Sequence, residues 1–276
     1  GNTAVGYLAM NVSDGGSSNT AIGDRAMGTG VSTGDGNTVV GANAAQALTG
    51  GTLNTILGAD AANDLTTGSN NVIMGTYAMD AAALAESYNV AIGQHSMGSV
   101  NEGSGGGDAD YNIAIGHQAL LGGDFSTNDR QLQGNVAIGG YALDRTSTNA
   151  MTGTVAIGYD ALTALEGGAG NVAVGYQAGA SINDGARNTI IGYRAAYDTV
   201  AMTDGSNNTV IGQQARTSNT NSANQIVIGY DFSGEADGAI HVGDSTRQIR
   251  CDYSSDQTWD AGSDERIKTV TGDSPL

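Results

Sequence analysis

Side chains suited to metal binding and nucleophilic catalysis are scarce in this chain. The three histidines, His95, His117 and His241, share no spacing, and the single cysteine, Cys251, has no second cysteine for an intrachain disulfide. A zinc site needs His and Cys ligands at short regular spacings, and a hydrolytic triad needs a nucleophile beside its base. The sequence therefore indicates neither, and we interpret Cys251 as a small buried apolar residue.

Acidic side chains are plentiful, and calcium is the cation that they would suit best. The chain has 28 acidic and 10 basic residues, for a formal net charge of −18 at pH 7. Most of the acids are aspartates in turn-like segments, as at Asp14, Asp35, Asp64 and Asp204. Solvated turns are the favoured interpretation and Ca²⁺ held between acidic loops is the alternative, so no cofactor and no metal ligand are assigned. The charge argues against nucleic acid and anionic membranes as partners.

A short strand-like motif recurs fourteen times and dominates the organisation of the chain. Its first position is Asn and its second is Thr or Val. A small or β-branched residue, an aliphatic residue, Gly, two variable positions and Ala follow, as in residues 19–26 and 188–195. Neighbouring motif glycines are mostly 17 or 18 residues apart, which is typical of stacked coils rather than of a compact domain. The motif glycines are Gly6, Gly23, Gly41, Gly58, Gly75, Gly93, Gly116, Gly139, Gly158, Gly175, Gly192, Gly212, Gly229 and Gly243.

Each motif position predicts a structural role. The residue before the glycine is Val, Ile, Leu or Met in all fourteen copies, so we expect it to point into the coil interior while its neighbours point outward. The glycine supplies a positive φ or room for close backbone approach at a corner. Asn opens eleven motifs, and we expect its amide to bond to equivalent amides in adjacent coils or to close the preceding turn. Ala, three positions after the glycine in eleven copies, leaves space for a neighbouring coil or chain.

The composition predicts a thin rod. With 44 Gly, one Pro, two Phe and one Trp in 276 residues, the chain lacks the large aromatic residues that fill a thick core. We therefore predict an all-β fold, a parallel β-solenoid (β-roll or β-helix) of about 14 coils, stacked roughly 4.8 Å apart into a rod about 65 Å long. A rod with so small a core is expected to bundle with identical chains, and the predicted assembly is a homotrimer.

Two further features are expected on the surface of the rod. The stretches 98–110 and 121–134 are long, polar and glycine-rich, and they either contact a receptor or are tolerated insertions in the repeat. Tyrosine also follows the motif glycine in five copies, and this stripe either stacks on sugar rings or, as we favour, forms an aromatic ladder between neighbouring strands. These tyrosines are Tyr7, Tyr159, Tyr176, Tyr193 and Tyr230.

The repeat divides the chain into three predicted parts. Residues 1–245 form the solenoid shaft, 246–262 a C-terminal strand and trimer cap, and 263–276 the start of a further domain. The alternation of Ile249, Cys251 and Tyr253 with polar residues predicts a strand that leaves the solenoid. The chain begins with Gly1 inside a repeat, as expected of a segment of a longer polypeptide, and no apolar run is long enough to span a membrane.

Residues 263–268 read Ser-Asp-Glu-Arg-Ile-Lys. The pattern Ser-Asp-x-Arg-(Leu/Ile)-Lys resembles the junction at which phage tail fibres and tailspikes, such as the endosialidase tailspikes, meet a C-terminal intramolecular chaperone domain. In that family the chaperone trimerises the fibre and then cuts itself off after the serine. The resemblance implies that Ser263 is the nucleophile, that Lys268 is the base that activates it, and that Asp264 starts the released domain. We expect self-cleavage only with the complete chaperone, which must lower the pKa of the lysine.

The repeats carry a second resemblance. Asn-(Thr/Val)-Ala-(Ile/Val)-Gly-x-x-Ala, over nearly the first 245 residues, is similar to the head repeats of trimeric autotransporter adhesins, the YadA-like heads. Those heads are trimers of left-handed parallel β-rolls with a shorter period, so the coils of this chain are expected to have larger turns. Phage fibres also contain this repeat, so the repeat alone does not choose between a virion and a bacterial surface.

Three functions compete at this point. The first is the shaft of a trimeric phage tail fibre or tailspike in the virion, which would contact other tail proteins and attach to a host cell-surface receptor such as a glycan. The second is the head of a bacterial trimeric adhesin, at the cell surface. The third is a carbohydrate-active enzyme, which would need paired carboxylates in a groove, and the acids of this chain show no recurrent pairing. We favour the first, because the terminal motif follows a fibrous repeat, and we expect no activity on a substrate.

Overall fold

A computed structural model describes residues 1–12, 15–29, 32–82, 84–101, 108–123, 131–146, 149–197 and 203–252, and the backbone of 259–262. Fourteen of its strands lie side by side in one parallel stack, in chain order. They are β1 (Thr3–Val5), β2 (Thr20–Ile22), β3 (Thr38–Val40), β4 (Thr55–Leu57), β5 (Val72–Met74), β6 (Val90–Ile92), β7 (Ile113–Ile115), β9 (Val136–Ile138), β11 (Val155–Ile157), β12 (Val172–Val174), β13 (Thr189–Ile191), β14 (Thr209–Ile211), β15 (Ile226–Tyr230) and β16 (Ala239–Asp244).

Four further strands lie outside this stack. β8 (Leu132–Gln133) and β10 (Met151–Thr152) pair in parallel in a separate two-stranded sheet, while β17 (Gln248–Asp252) and β18 (Trp259–Gly262) follow the last coil. The described residues contain no helix. The predicted all-β parallel solenoid is therefore confirmed, and its 14 stacked strands are separated by about 13 turns.

The coils stack in register, so that each motif glycine lies beside the next. Gly139 has a φ of +133°, and a Cβ at this position would overlap the carbonyl oxygen of Gly158 in the next coil. A side chain is therefore excluded both by the backbone conformation and by the neighbouring backbone. Both predicted reasons for the motif glycine hold at this corner.

The expected direction of the strand side chains is wrong. The residue before the glycine does not point into the coil, because in each of β2 to β7 the middle residue of the strand is buried and the pre-glycine residue is not. Ala137, for example, is fully buried, whereas its neighbours Val136 and Ile138 are partly exposed. The three strand positions alternate with the period of two, but the parity is opposite to the one predicted.

Two inward-facing columns fill the narrow interior. One is the middle residue of each strand, and the other lies four positions after the motif glycine. In most coils a small residue in one column is matched by a large one in the other, as with Ala137 and Leu143, or Ile56 and Ala62, all of them buried. The motif alanine between them is buried as well, as at Ala142. This matching keeps the volume of each coil nearly constant, which close packing requires.

Backbone hydrogen bonds join the turns as well as the strands of successive coils. Tyr141 and Leu143, two and four positions after a motif glycine, have positive φ values of 59° and 52°. Their N–H groups therefore point in opposite directions along the stack, to the carbonyl oxygen of His117 in the previous coil and to that of Ala161 in the next. A left-handed conformation is unfavourable by about 1–2 kcal/mol per residue, and these hydrogen bonds offset it.

A ladder of buried asparagines closes each coil against the next. The N–H and the side-chain amide of Asn37 both donate to Oδ1 of Asn19, at 2.8 and 3.1 Å, and the same amide donates to the carbonyl oxygen of Gly51 at 2.9 Å. The predicted bonding of the amide to its equivalents in adjacent coils is confirmed. The loop carbonyl that Asn37 binds belongs to the turn of the next coil and not to the turn before Asn37, whereas Asn171 does bond back to Gly168 in its own preceding turn, at 3.3 Å. The buried ladder positions are Asn19, Asn37, Asn54, Asn71, Asn89, Asn112, Asn135, Asn171, Asn188 and Asn208.

Parallel stacking ends at β16. β17 pairs with β16 in the antiparallel direction, and β18 pairs with β17 in the same way. Ile249 and Cys251 lie on β17, so the strand predicted after Gly243 is present, while Tyr253 lies outside the described residues. The antiparallel pair covers the open edge that the last coil would otherwise present.

The ladder has one natural interruption, and it can be repaired by mutation. The N–H of Thr154 donates to Oδ1 of Asn135, but the hydroxyl of Thr154 is buried without a partner. We expect Thr154→Asn to supply the missing acceptor and donor and to stabilise the protein by about 1–2 kcal/mol. The measurement is the midpoint and the rate of unfolding in denaturant.

The reverse change, Asn112→Thr, is the matched control for this prediction. It introduces the same interruption at an intact position of the ladder, where Asn112 bonds to Asn89 and to Asn135. It should lower the midpoint by a similar amount. A Thr154→Asn variant that unfolds at a lower denaturant concentration than the parent would contradict the prediction.

Candidate functional site

The candidate site is the outward face of the stacked sheet. We define the outer sheet face as the first and third residues of each three-residue strand, with Ile226 and Ile228 of β15 and Ile240 and Val242 of β16 aligned to them. Every one of these residues is Thr, Val, Ile, Leu or Met. None carries a charge, although the chain has 38 charged residues in all (28 acidic and 10 basic).

The outer sheet face is apolar and accessible in the single chain. The exposed fraction is 45% for Leu57, 37% for Ile157 and 39% for Ile191. At roughly 4.8 Å per strand and 3.3 Å per residue, the face is a strip about 60 Å long and about 7 Å between its two columns. This gives an uncharged face of roughly 400 Å², apolar in both columns through its centre and comparable in size with the largest apolar patches on typical monomers. Such a strip indicates an interaction surface.

An aromatic ladder runs along the corner beside this face. The rings of Tyr159 and Tyr176 stack at 5.7 Å with an interplanar angle of 10°, and those of Tyr176 and Tyr193 at 5.3 Å with 12°. The ladder interpretation is confirmed for these three coils. Because Tyr176 has a stacked neighbour on each face, a sugar cannot lie flat on its ring. Tyr141 extends the ladder with an edge contact to Tyr159, although it occupies a different motif position.

The histidines and the cysteine do not form a catalytic or metal-binding group. His95 stacks on Tyr77 at 5.0 Å, and His117 meets Tyr141 edge-on at 5.2 Å, so both belong to the aromatic corner. Cys251 is a free, buried cysteine on β17. In the part of the chain that the structure describes, no three His, Cys, Asp or Glu side chains converge as metal ligands would.

Several aspartates act as acceptors for turns. Asp35 accepts hydrogen bonds from the N–H and the hydroxyl of Ser17, and these bonds hold the pKa of the carboxyl below its ordinary value. Asp110 accepts from the N–H of Ser87, but burial raises the pKa of this carboxyl. Burial also raises the pKa of Asp144, which accepts a hydrogen bond from Thr163. These contacts agree with the solvated-turn interpretation, and Ca²⁺ between acidic loops stays the alternative prediction.

Several predicted features lie outside the described residues. These are Ser263 and Lys268 of the terminal motif, Asp14, and the central parts of the two long polar stretches, residues 102–107 and 124–130. The described residues include no helix that is long and apolar enough to cross a membrane. Comparisons of the chain with models of protein families, with curated proteins and with solved structures find no match.

One buried titratable group stands out at the end of the shaft. His241 occupies the middle position of β16, where the other coils of the stack have Ala, Val or Ile, and it is fully buried. Neither ring nitrogen has a hydrogen-bond partner. Burial lowers the pKa of His241 below its ordinary value of 6.5, with smaller effects from the charges of Glu235, Arg250 and Asp252.

The burial of His241 leads us to expect that the folded chain loses stability in weak acid. Because the pKa of His241 is lower in the folded chain, the unfolded chain takes up the proton first as the pH falls. Stability should be complete above pH 6.5, decrease as the pH falls from 6.5 towards the lowered pKa, and then level off. Denaturant midpoints of unfolding, recorded at several pH values between about 7.5 and 5.5, measure this pH dependence of stability. His241→Val should flatten the profile and His117→Gln should not, whereas an unchanged profile in His241→Val would sink the assignment.

Proposed function

We propose that this chain is the shaft of a homotrimeric phage tail fibre or tailspike that attaches the virion to the host surface and matures by self-cleavage after Ser263. The observation that carries the proposal is the long uncharged outer sheet face on a stiff parallel stack. A single chain would leave this face in water, and three chains around a common axis would bury it. The terminal motif Ser-Asp-Glu-Arg-Ile-Lys supports the phage assignment by its resemblance to the chaperone junction.

The repeat makes the face complementary to itself. All copies of the chain have the same strand spacing, so the aliphatic rows of one copy meet those of another along the whole rod when the copies are parallel. From β5 to β12 both columns are aliphatic, from Val72 and Met74 to Val172 and Val174. In β1 to β4 the first column is threonine, and after β12 threonine occupies it in β13 and β14. The central strands therefore contribute most of the apolar burial in the proposed trimer.

The maturation step is proposed from the terminal motif alone. The Ser263 hydroxyl would attack the carbonyl carbon of the Ser263–Asp264 peptide bond, and the Lys268 amine, once neutral, would accept the hydroxyl proton and pass it to the departing Asp264 amine as the C–N bond breaks. Water would then hydrolyse the ester formed at Ser263 and leave a free carboxylate there. The released part would begin at Asp264. A lysine is neutral near pH 7 only in a desolvated or positively charged site, which the assembled chaperone would have to provide.

The head of a bacterial trimeric adhesin is the second candidate, and the repeat is the observation that favours it. Asn-(Thr/Val)-Ala-(Ile/Val)-Gly-x-x-Ala occurs in such heads, and the proposed trimer is common to both functions. The two candidates differ in the domain expected on the C-terminal side of the shaft. A fibre would carry a cleavable chaperone, and an adhesin would carry a coiled-coil stalk and a membrane anchor.

A charge on the outer sheet face should prevent assembly. Ile138 is the third residue of β9, near the middle of the stack, and its side chain points away from the coil interior. We expect the parent chain to be a trimer and Ile138→Asp to be largely monomeric, because the trimer would bury three carboxylates around its axis. Light scattering on the eluting peak of a sizing column measures the mass.

Ser99→Asp is the matched control for this change. Ser99 is exposed in a turn that does not belong to the outer sheet face, so the same new charge should leave the trimer intact. A monomeric parent at micromolar concentration, or an Ile138→Asp variant that remains trimeric, would contradict the proposed use of this face.

The maturation step predicts a change in mass. In protein expressed from the complete reading frame, we expect a product that ends at Ser263, and a full-length product from the Ser263→Ala variant. Intact mass spectrometry distinguishes the two. Ser254→Ala, at a serine outside the motif, should be processed like the parent. If parent and Ser263→Ala both stay full length, the cleavage proposal fails and the adhesin candidate is preferred.

A further inference from the structure

The outer sheet face extends on both sides beyond its two columns. We define the leading rim as the residue two positions before the first outer-face residue of each coil, and the trailing rim as the residue directly after each motif glycine. In the coil of β4 these are Leu53 and Ala59, which flank Thr55 and Leu57. The residues between them are the buried ladder asparagine, the buried centre of the strand and the motif glycine. Each coil therefore presents four outward columns rather than two.

Both rims carry large apolar side chains that are exposed in the single chain. On the leading rim the rings of Tyr88 and Tyr111 stack at 4.9 Å with an interplanar angle of 5°, and they are 50% and 58% exposed. Leu53, on the same rim, is 62% exposed. This second aromatic ladder lies on the opposite side of the face from the stacked Tyr159 and Tyr176 of the trailing rim. An uncharged face bordered by exposed aromatic rings has the composition of a protein interface.

Within each coil the sizes of the two rims are complementary. In the coil of β11 the leading rim is Gly153 and the trailing rim is Tyr159. In the coil of β6 the order of sizes is reversed, with Tyr88 leading and Gln94 trailing. No coil of the stack has tyrosine on both rims. The trailing tyrosines, each with the leading residue of its coil, are Tyr7 (Gly1), Tyr159 (Gly153), Tyr176 (Gly170), Tyr193 (Arg187) and Tyr230 (Asn224).

The single chain does not require glycine on the leading rim. Gly153 has a φ of +63°, but Tyr88 and Tyr111 adopt 59° and 60° at the same position of their coils. A Cβ at Gly153 would meet no atom of the described residues within 4 Å. Conformation and packing within one chain thus both allow a side chain there, as they do at Tyr88. The glycine therefore leaves space for a group from outside the chain.

A second copy of this chain fits the rims in size and in symmetry. The four columns span about 20 Å, and three such faces closed into a triangle lie about 6 Å from their common axis, close to half the spacing of packed sheets. In this arrangement the leading rim of each copy meets the trailing rim of the next. Each pair of copies then buries about 1,200 Å² in total, the lower limit of a stable interface, whereas the two central columns alone would give about 400 Å².

We propose that the leading rim of each copy packs against the trailing rim of the next copy at the same coil, so that the rims hold the copies parallel and in register. Tyr159 of one copy fills the space beside Gly153 of its neighbour, and Tyr88 lies against Gln94. A slip by two coils would instead bring Tyr111 against Tyr159, which disfavours the wrong register. This inference deepens the proposed homotrimer and rests on it.

Filling the space beside Gly153 tests the pairing of the rims. We expect Gly153→Tyr to raise the chain concentration at which half of the protein is trimeric at least tenfold, because two rings cannot share the space left for one. Gly36→Tyr is the matched control, since Gly36 also has a positive φ but shares its coil with the small Ala42, and it should assemble like the parent. Gly153→Tyr combined with Tyr159→Ala should recover assembly. Light scattering over a dilution series measures all four proteins.

A disulfide test reads the register directly and does not depend on the tyrosine variants. Leu53→Cys with Ala59→Cys places the two thiols about 20 Å apart within one chain, too far for an intrachain disulfide, but side by side between copies in register. Mild oxidation should give covalent trimers on a non-reducing gel. Leu53→Cys with Asp24→Cys is the control, because Asp24 is on the trailing rim two coils away, about 10 Å along the rod, and should not be linked.

The two tests separate this inference from the proposed function. If the parent is a trimer but Gly153→Tyr assembles equally well, or if the in-register cysteines are linked no better than the offset pair, the rims do not pair as stated and the proposed fibre stands. Failure of Tyr159→Ala to recover assembly of Gly153→Tyr would likewise overturn the pairing of these two residues. A parent that is monomeric at micromolar concentration would overturn the trimer itself, and the rim pairing with it.

Discussion

Hydrogen bonding between successive coils is the interaction on which the rest of the structure depends. Each coil buries only a few apolar side chains, such as Ala137, Ala142 and Leu143, so apolar burial within one coil is slight. The strands, the left-handed turn residues and the asparagine ladder all bond along the stack instead. The corner geometry needs Gly in every coil, and the ladder needs Asn at the same place in nearly all of them, with Thr154 as the interruption. The repeat is thus required to keep successive coils in register, and variation in sequence is confined to segments that do not stack.

A thin interior also determines the chemistry on the outside of the sheet. Because a strand of three residues buries only its middle side chain, the other two face away from the coil whatever their chemistry. Polar residues at those positions would leave a single solenoid well solvated, yet the chain places Val, Ile, Leu and Met there throughout the centre of the stack. The apolar side chains that the narrow interior does not hold thus lie on the outer sheet face, where further copies of the chain can bury them.

The sequence was sufficient for the architecture but not for the direction of each side chain. The period, the corner glycine and the asparagine ladder follow from single motif positions, and they were predicted. The strand parity was predicted wrongly, because a three-residue strand with an apolar residue at both parities gives no alternation. The size matching of pairs such as Ile56 with Ala62 was a signal from which the inward-facing strand position could have been identified. No sequence signal marked the left-handed conformation of Leu143. A basic cavity in the turns that follow β13 and β14 joins Arg194 to Arg216, and because these residues occupy different motif positions, the repeat pattern did not indicate it.

The placement of charge explains how one surface can associate while the others do not. A solenoid rod exposes strand edges and repeated side chains, which invite uncontrolled association. Many of the acids lie in turns, as Asp35 and Asp110 do, and the net charge of −18 makes those sides of two rods repel each other. The outer sheet face has no charge, so it is the surface on which apolar attraction is not opposed. Screening by salt should weaken the repulsion and leave the apolar contact, so selective assembly depends on the acids remaining ionised and unscreened.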